Sequence, residues 1–203
     1  MRDELIYKKD FITTKWSGGE TTQLVIYPRD AEFSKKDFLF RISSATFTGT
    51  ESTFSAFNDY QRYLLPLKGK IEIRHENLYK RVLETDEIEY FDGAWNTEAT
   101  NTPDCRDYNY IVRKGKIAIF QKLENNNEIY ICECSVATVF SMNDIVMEVK
   151  SSTEGKNSND EDCKEIKKLP AETLYFLETE NDVVLIKIVE SSGPVFISEF
   201  KDC

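Results

Sequence analysis

The close spacing of short apolar segments constrains the fold of this chain more than any other feature. About a dozen segments of four to eight residues show the alternation of apolar and polar side chains that is typical of β-strands, as in 38–45 and 117–123. Consecutive strands follow one another too closely for crossover helices to fit between them. Only the segment 30–37 favours a helical turn. The sequence therefore predicts an all-β sandwich, barrel or jelly roll and excludes doubly wound and TIM-type folds.

The length of 203 residues is compatible with one large domain or two small ones. A chain of this length buries a sizeable core without disulfides or metal. Two β units of half-length would account for the number of strands. Residues 151–162 contain no large apolar side chain, so we expect a mobile surface loop at about 151–165.

The charge balance bears on the partners of the protein. Lys and Arg number 26 and Asp and Glu number 36, a net charge of −10 that repels nucleic acids and anionic membrane surfaces. No segment approaches the roughly 20 apolar residues of a membrane span, and the N-terminal residues do not resemble a signal peptide. The odd number of cysteines, five, is typical of free thiols in a reducing compartment. We therefore expect a cytoplasmic protein that binds neither nucleic acid nor membrane.

The sequence gives little support for metal binding or nucleophilic catalysis. Its single histidine, His75, cannot build a site that needs two or three imidazoles, and we interpret it as an exposed residue at a strand end. Cys132 and Cys134 would share one face of a strand, where they could hold a metal, although packed free thiols are the favoured interpretation. No Gly-x-Ser-x-Gly elbow and no signature of a thiol protease is present. We expect no metal and no cofactor.

Polar residues interrupt the apolar pattern at a few places. The segment Trp-Ser-Gly-Gly-Glu-Thr-Thr at 16–22 could hold an anion with its hydroxyl and N–H groups or could form a β-turn that enters a strand. Two pairs share a strand face, and one arginine lies among tyrosines: Arg41 with Ser43, Asp107 with Asn109, and Arg62 between Tyr60 and Tyr63. Alternation alone leaves open whether such a face lines a cavity or contacts solvent.

Several short motifs follow one another in a fixed order between about residues 10 and 115. They are Trp16–Leu24, Tyr27-Pro28, Phe40–Ala45, Thr53–Phe57, Tyr60–Arg62, Leu65–Gly69, Phe91–Gly93 and Asp107–Ile111. In this order they resemble the HutD family, which includes the Ves proteins.

This resemblance implies a cupin-type fold with two β-barrel halves in one chain, a bicupin. The halves would be 1–115, which carries the motifs, and 116–203. It also implies an accessory or regulatory role in histidine utilisation without an established reaction. The pocket wall that the resemblance implies consists of Trp16, Gly18, Gly19, Thr21, Thr22, Arg41, Ser43, Arg62, Asp107 and Asn109.

These residues lead to a hypothesis about the ligand. Arg41 and Arg62 would clamp a carboxylate through paired N–H donors, while Asp107 and Asn109 would bind an amide or amine of the same molecule and Trp16 would form an apolar wall. We therefore expect a non-enzymatic protein that binds a small carboxylate and governs histidine or other amino-acid catabolism.

Two other functions stay open. One is a metal-independent isomerase, epimerase or hydrolase that uses a pocket carboxylate such as Asp107 for acid–base chemistry. The other is an interaction protein whose sheet edges pair in a homodimer.

Overall fold

The computed structural model describes residues 1–153 and 163–201 and confirms the all-β prediction. Within these ranges there are nineteen strands: β1 (Arg2–Ile6), β2 (Ile12–Trp16), β3 (Gly19–Tyr27), β4 (Phe40–Phe47), β5 (Glu51–Thr53), β6 (Tyr60–Lys68), β7 (Ile71–His75), β8 (Tyr79–Leu83), β9 (Glu89–Asp92), β10 (Thr97–Asn101), β11 (Arg106–Arg113), β12 (Ile117–Leu123), β13 (Glu128–Ile131), β14 (Ser135–Phe140), β15 (Ile145–Thr153), β16 (Cys163–Leu169), β17 (Leu174–Glu178), β18 (Asp182–Ser191) and β19 (Val195–Lys201). Two short 3-10 helices, Lys8–Asp10 and Phe33–Lys35, accompany them, the second inside the predicted helical turn. No helix in these ranges has the length and apolar character needed to cross a membrane.

The chain divides into two compact units, and the division differs from the predicted one at the N-terminus. One unit comprises Phe11–Gly115, and the other combines Met1–Asp10 with Lys116–Cys203. The assignment of the first ten residues to the N-terminal half was therefore wrong. The physical reason is strand pairing, because β1 forms an antiparallel ladder with β17.

The unit formed by Phe11–Gly115 is a sandwich of two sheets. The strand orders are β2-β3-β4-β11-β6-β9 and β5-β10-β7-β8. Leu64 and Phe91 of the first sheet pack with Ile71 and Ile73 of the second in a shared core. In the described residues neither sheet pairs its first strand with its last, so the prediction of closed barrels was wrong. The chain passes between sheets at turns such as Gly69, whose φ of 74° lies in the left-handed region.

The other unit is a second sandwich. Its sheets have the orders β1-β17-β14-β19-β12 and β13-β18-β15-β16. Alternation in β18 explains its core, since Val184, Ile186 and Ile188 are fully buried while the residues between them are more exposed. They pack with inward-facing residues of the first sheet such as Val139 and Ile197.

The two ends of the predicted loop at 151–165 are β-strands instead. Residues 151–153 belong to β15 and residues 163–165 belong to β16, with Ser151 paired to Cys163. Residues 154–162 lie outside the described part of the chain.

Candidate functional site

A cavity of about 350 Å³ lies between the two sheets of the Phe11–Gly115 unit. It is lined by Thr14, Trp16, Thr21, Phe33, Arg41, Ser43, Ala45, Phe47, Ser52, Thr53, Phe54, Ser55, Phe57, Arg62, Asp107, Asn109 and Ile111. Seven of the ten residues in the expected pocket wall are among them: Trp16, Thr21, Arg41, Ser43, Arg62, Asp107 and Asn109.

Cross-strand register brings the two arginines to the same cavity. Ile111 on β11 pairs with Arg41 on β4 and also with Arg62 on β6. Residues paired across adjacent strands share a face, and strands lie about 4.8 Å apart, so the two arginine Cα atoms are roughly 10 Å apart. Two residues back along β11, on the same face, Asn109 pairs with Ser43. Arg41 and Arg62 are 21 positions apart in the sequence, and together with Ser43 and Asn109 they form one polar wall.

Arg41 is a buried cation held by neutral groups. Its Nε donates to Gln23 Oε1 at 2.8 Å, and its Nη1 donates to Ser43 Oγ at 3.0 Å. The guanidinium carbon lies 4.1 Å from the centre of the Phe33 ring, the geometry of a cation–π contact. Burial lowers the pKa of Arg41 to about 10, against the opposing effect of the Asp107 charge. The side chain is still charged at neutral pH.

Arg62 is buried in a similar way but is held more loosely. Its Nε donates to Asn109 Oδ1 at 3.4 Å and its Nη1 to the carbonyl oxygen of Ser55 at 3.5 Å, both long hydrogen bonds. The guanidinium carbon lies 4.5 Å from the centre of the Phe54 ring, and burial lowers the pKa of Arg62 to about 10. Across the described residues, neither Arg41 nor Arg62 forms an ion pair with a carboxylate. The cavity therefore holds positive charge without a direct counterion.

Asp107 is the buried carboxyl group of the cavity. One of its oxygens accepts a hydrogen bond of 2.6 Å from the backbone N–H of Ala45. Burial raises the pKa of Asp107 to about 7, although the Ala45 N–H and the charges of Arg62, Arg106 and Arg41 lower it. The folded protein therefore keeps the proton of Asp107 to a higher pH than an exposed aspartate would, and a single carboxylate can offset only part of the charge of two arginines.

The glycine-containing segment contributes less of the wall than expected. Trp16 and Thr21 line the cavity, with Trp16 Nε1 donating to Thr21 Oγ1 at 3.1 Å. Gly18 lines an adjoining groove instead, where a Cβ would come within 2.0 Å of the Trp16 ring. Gly19 and Thr22 lie outside the cavity lining. Strand alternation explains Thr22, which points away from the face that Thr21 occupies.

The expectation of an exposed His75 was wrong. Its side chain is buried, and Nδ1 lies 2.9 Å from Thr97 Oγ1 among the rings of Tyr79, Phe91 and Trp95. Burial lowers the pKa of His75. The alternation of Ile71, Ile73 and His75 with charged residues is a sequence signal for this buried position.

The cysteine pair also differs from expectation. Cys132 and Cys134 follow the end of β13 in a turn, and both are exposed, so they do not share a strand face and are not packed. The left-handed φ of 54° at Cys134 is typical of a turn and does not occur in a regular strand. In the described parts of the chain, no three His, Cys, Asp or Glu side chains are grouped as metal ligands.

Sequence reasoning missed most of the aromatic lining and four hydroxyl side chains. The aromatic residues are Phe33, Phe47, Phe54 and Phe57, and the hydroxyl residues are Thr14, Ser52, Thr53 and Ser55. Phe54 and Phe57 belong to a motif noted in the sequence, but nothing local indicates that this segment faces the arginines. Phe33 lies 8 positions before Arg41 in the chain and reaches the cavity from a separate 3-10 helix.

Solved structures with a similar fold define the class of protein. Oxalate decarboxylase from Bacillus subtilis matches with a TM-score of 0.65 and 5% identity, over 98% of this chain and 77% of the other. The chain therefore has a cupin-like all-β fold.

The chain belongs to the HutD family, whose model matches residues 8–183, which confirms the resemblance seen in the motifs. HutD from Pseudomonas fluorescens SBW25 matches with a TM-score of 0.75 and 20% identity over 98% of both chains. A conserved protein of unknown function from Pseudomonas aeruginosa PAO1 matches with a TM-score of 0.74 and 20% identity, over 99% of this chain and 98% of that one. Comparison with curated proteins gave no match.

Proposed function

We propose that this protein binds a small carboxylate metabolite in the cavity of the Phe11–Gly115 unit, without catalysing a reaction. The observation that carries the proposal is the pair of buried guanidinium groups, Arg41 and Arg62, that have no carboxylate ion partner in the described residues. Burial of a cation without a counterion is unfavourable, so an incoming anion recovers free energy by pairing with it.

The chemistry of the wall favours a carboxylate over other anions. Arginine offers planar, paired N–H donors that match the two oxygens of a carboxylate. Asn109 and Asp107 lie on the same face of β11 and would bind an amide or amine of the same ligand. Asp107 accepts a proton near neutral pH, which reduces its competition with the ligand for the guanidinium groups.

The cellular role that we propose follows the family. HutD membership supports an accessory or regulatory role in histidine or other amino-acid catabolism. The odd number of cysteines supports a cytoplasmic location. We further propose that the two sandwiches are the halves of a bicupin, which the likeness to oxalate decarboxylase over 98% of the chain supports. The proposal also includes a homodimer, because exposed sheet edges can pair between two copies of a chain. The Pseudomonas fluorescens structure is described as a formate condition, so formate belongs among the test anions.

One observation supports a second candidate function. An acid–base catalyst works best with a pKa near the working pH, and burial raises the pKa of Asp107 to about 7. A metal-independent isomerase, epimerase or hydrolase would use this carboxyl group to move a proton. Recovery of the bound compound by chromatography distinguishes the two functions, since a binding protein returns it unchanged and an enzyme does not.

The test is a thermal-shift and calorimetric screen of the purified protein. The ligands are formate, formylglutamate, formiminoglutamate, urocanate and histidine, with chloride as the control anion. A ligand at 100 times its Kd should add about 2.7 kcal/mol of stability, which is roughly 5 to 10 °C in Tm.

Matched variants assign any binding to the cavity. Arg41→Met and Arg62→Met remove the charge but keep an unbranched side chain, and they should abolish the shift. Arg2→Ala removes an exposed arginine of the other unit and should leave it unchanged. The proposal is refuted if no carboxylate stabilises the wild-type protein, or if correctly folded Met variants bind as tightly as wild type.

A further inference from the structure

Aromatic rings form much of the cavity lining beside the arginines. Five aromatic side chains line it: Trp16, Phe33, Phe47, Phe54 and Phe57. Trp16 is 41% exposed and Phe33 is 43% exposed, so these two rings lie at the rim, whereas Phe57 is buried. Aromatic surface is therefore available to a ligand at the rim of the cavity as well as beside the buried arginines.

Three of these rings already contact a cation. Phe33 lies against the guanidinium of Arg41 and Phe54 against that of Arg62. Phe57 lies 4.9 Å from Lys36 Nζ and 5.7 Å from the guanidinium carbon of Arg62. These contacts hold each planar guanidinium in place, which reduces the entropy that ligand binding would otherwise lose.

Trp16 and Phe47 are arranged differently. Their ring centres are 6.2 Å apart with an interplanar angle of 86°, an edge-to-face contact. The Trp16 ring is held by its Nε1–H bond to Thr21 and by contact with Gly18. Among the described residues no cation lies over either ring. Together they offer a rigid apolar corner in which a further ring can pack by offset-stacked or edge-to-face contact.

Ser52 adds a polar point to the same cavity. Its Oγ atom is buried and has no hydrogen-bond partner among the described residues. Ser52 also lines the adjoining groove, as does Trp16, so both residues lie where the cavity meets the groove. A buried hydroxyl without a partner costs free energy, and a ligand group that hydrogen-bonds to it restores that loss.

We propose that the ligand of this cavity is an aromatic or heteroaromatic carboxylate whose ring carries a hydrogen-bonding substituent. The carboxylate pairs with Arg41 and Arg62, the ring packs against Trp16 and Phe47, and the substituent contacts the Ser52 hydroxyl. A volume of about 350 Å³ suits a single ring with short substituents. This inference rests on the proposed function and names the chemical class of its ligand.

Calorimetry with matched synthetic acids tests each part of the inference. Benzoate and cyclohexanecarboxylate share a charge and a similar size but differ in aromatic character. We expect the wild-type protein to bind benzoate about 2- to 10-fold more tightly. The three hydroxybenzoate isomers add a hydrogen-bonding group at different ring positions. At least one isomer should bind about 2- to 10-fold more tightly than benzoate.

Two variants and a control assign these preferences to side chains. Ser52→Ala should reduce the ratio of hydroxybenzoate to benzoate affinity to about one, and Trp16→Leu should remove the preference for benzoate over cyclohexanecarboxylate. Ser17→Ala changes a hydroxyl of the groove that does not line the cavity and should keep both ratios.

The outcomes separate this inference from the function on which it rests. Equal affinity for benzoate and cyclohexanecarboxylate in the wild-type protein overturns the aromatic class. An unchanged hydroxybenzoate preference in Ser52→Ala overturns the contact with Ser52. In both cases, the proposed function still holds if the wild-type protein binds a carboxylate and the Arg62→Met variant does not. If no carboxylate binds at all, the proposed function fails as well.

Discussion

Replacement of Asp107 by asparagine tests the electrostatics of the cavity most directly. Asparagine keeps a side-chain oxygen that can accept a hydrogen bond from the Ala45 N–H, as the Asp107 carboxylate does at 2.6 Å. The replacement removes the titrating charge. Burial raises the pKa of Asp107 from an ordinary value of 3.8 to about 7. The folded protein therefore holds this proton more tightly than the unfolded chain does. The associated stability is fully present below about pH 4 and is lost as the pH rises through about 7.

The size of the effect follows from the two pKa values. Between pH 5 and pH 8, a carboxyl group with pKa values of 3.8 unfolded and about 7 folded loses roughly 3 kcal/mol of its contribution to stability. For a chain of 203 residues this is roughly 6 to 12 °C in Tm. Asparagine does not titrate, so the Asp107→Asn variant should lack this loss.

The assay is urea or thermal unfolding of both proteins at pH 5, 6, 7 and 8. The difference between the two curves isolates Asp107 from other titrating groups such as His75. Asp104→Asn is the matched control, because Asp104 is an exposed carboxylate whose pKa its ion pair with Lys68 lowers, so it does not titrate in this range. Parallel curves for wild type and Asp107→Asn would contradict this account. They would mean that Asp107 is already ionised at pH 5 and offsets part of the charge of the two arginines throughout this pH range.

Three further predictions concern ligand binding, the core around Ile186 and the backbone at Gly19. Carboxylate affinity should fall about tenfold between pH 6 and pH 8 because ionised Asp107 competes for the guanidinium groups, and calorimetry that finds no pH dependence would contradict this. Ile186→Ala should lower the free energy of unfolding in urea by about 2 to 5 kcal/mol, because the Ile186 side chain is fully buried. Ile166→Ala, at a site 49% exposed, is the control and should change the free energy of unfolding by less than about 0.5 kcal/mol. Equal losses in the two variants would argue against the assigned core. Gly19→Ala should destabilise by about 1 to 3 kcal/mol, since φ is 156° and a Cβ would lie 2.0 Å from a backbone oxygen. Gly49→Ala, with nothing within 4 Å, is the control that should remain near wild type.

Local patterns in the sequence explain the strands and the pairs of residues that share a face. Side chains alternate along a strand, so Arg41 must share a face with Ser43, and Asp107 with Asn109, whatever the rest of the fold. The same rule applied to Ile71 and Ile73 would have predicted a buried His75. Turn residues at Lys68-Gly69 likewise indicate where β6 ends.

Local sequence patterns do not show which distant strands pair with each other. The turn at Gly69 suggests a hairpin, yet β6 and β7 lie in different sheets. The first ten residues look like the start of the N-terminal half, yet β1 pairs with β17, more than 160 positions away. Pairing partners depend on which strands bury their apolar faces together, and several pairings satisfy the same local pattern.

Strand alternation and short motifs are local properties, and they were enough to predict the all-β class, the family and most of the polar residues of the cavity wall. The pairing of distant strands places Arg41 and Arg62 on either side of Ile111, buries Asp107 beside them, and brings Ser52 and the phenylalanines to the same cavity. A cavity is formed by the faces that two sheets present to each other. Its charge and its pKa values therefore depend on strand register and burial, which arise only when distant strands pair.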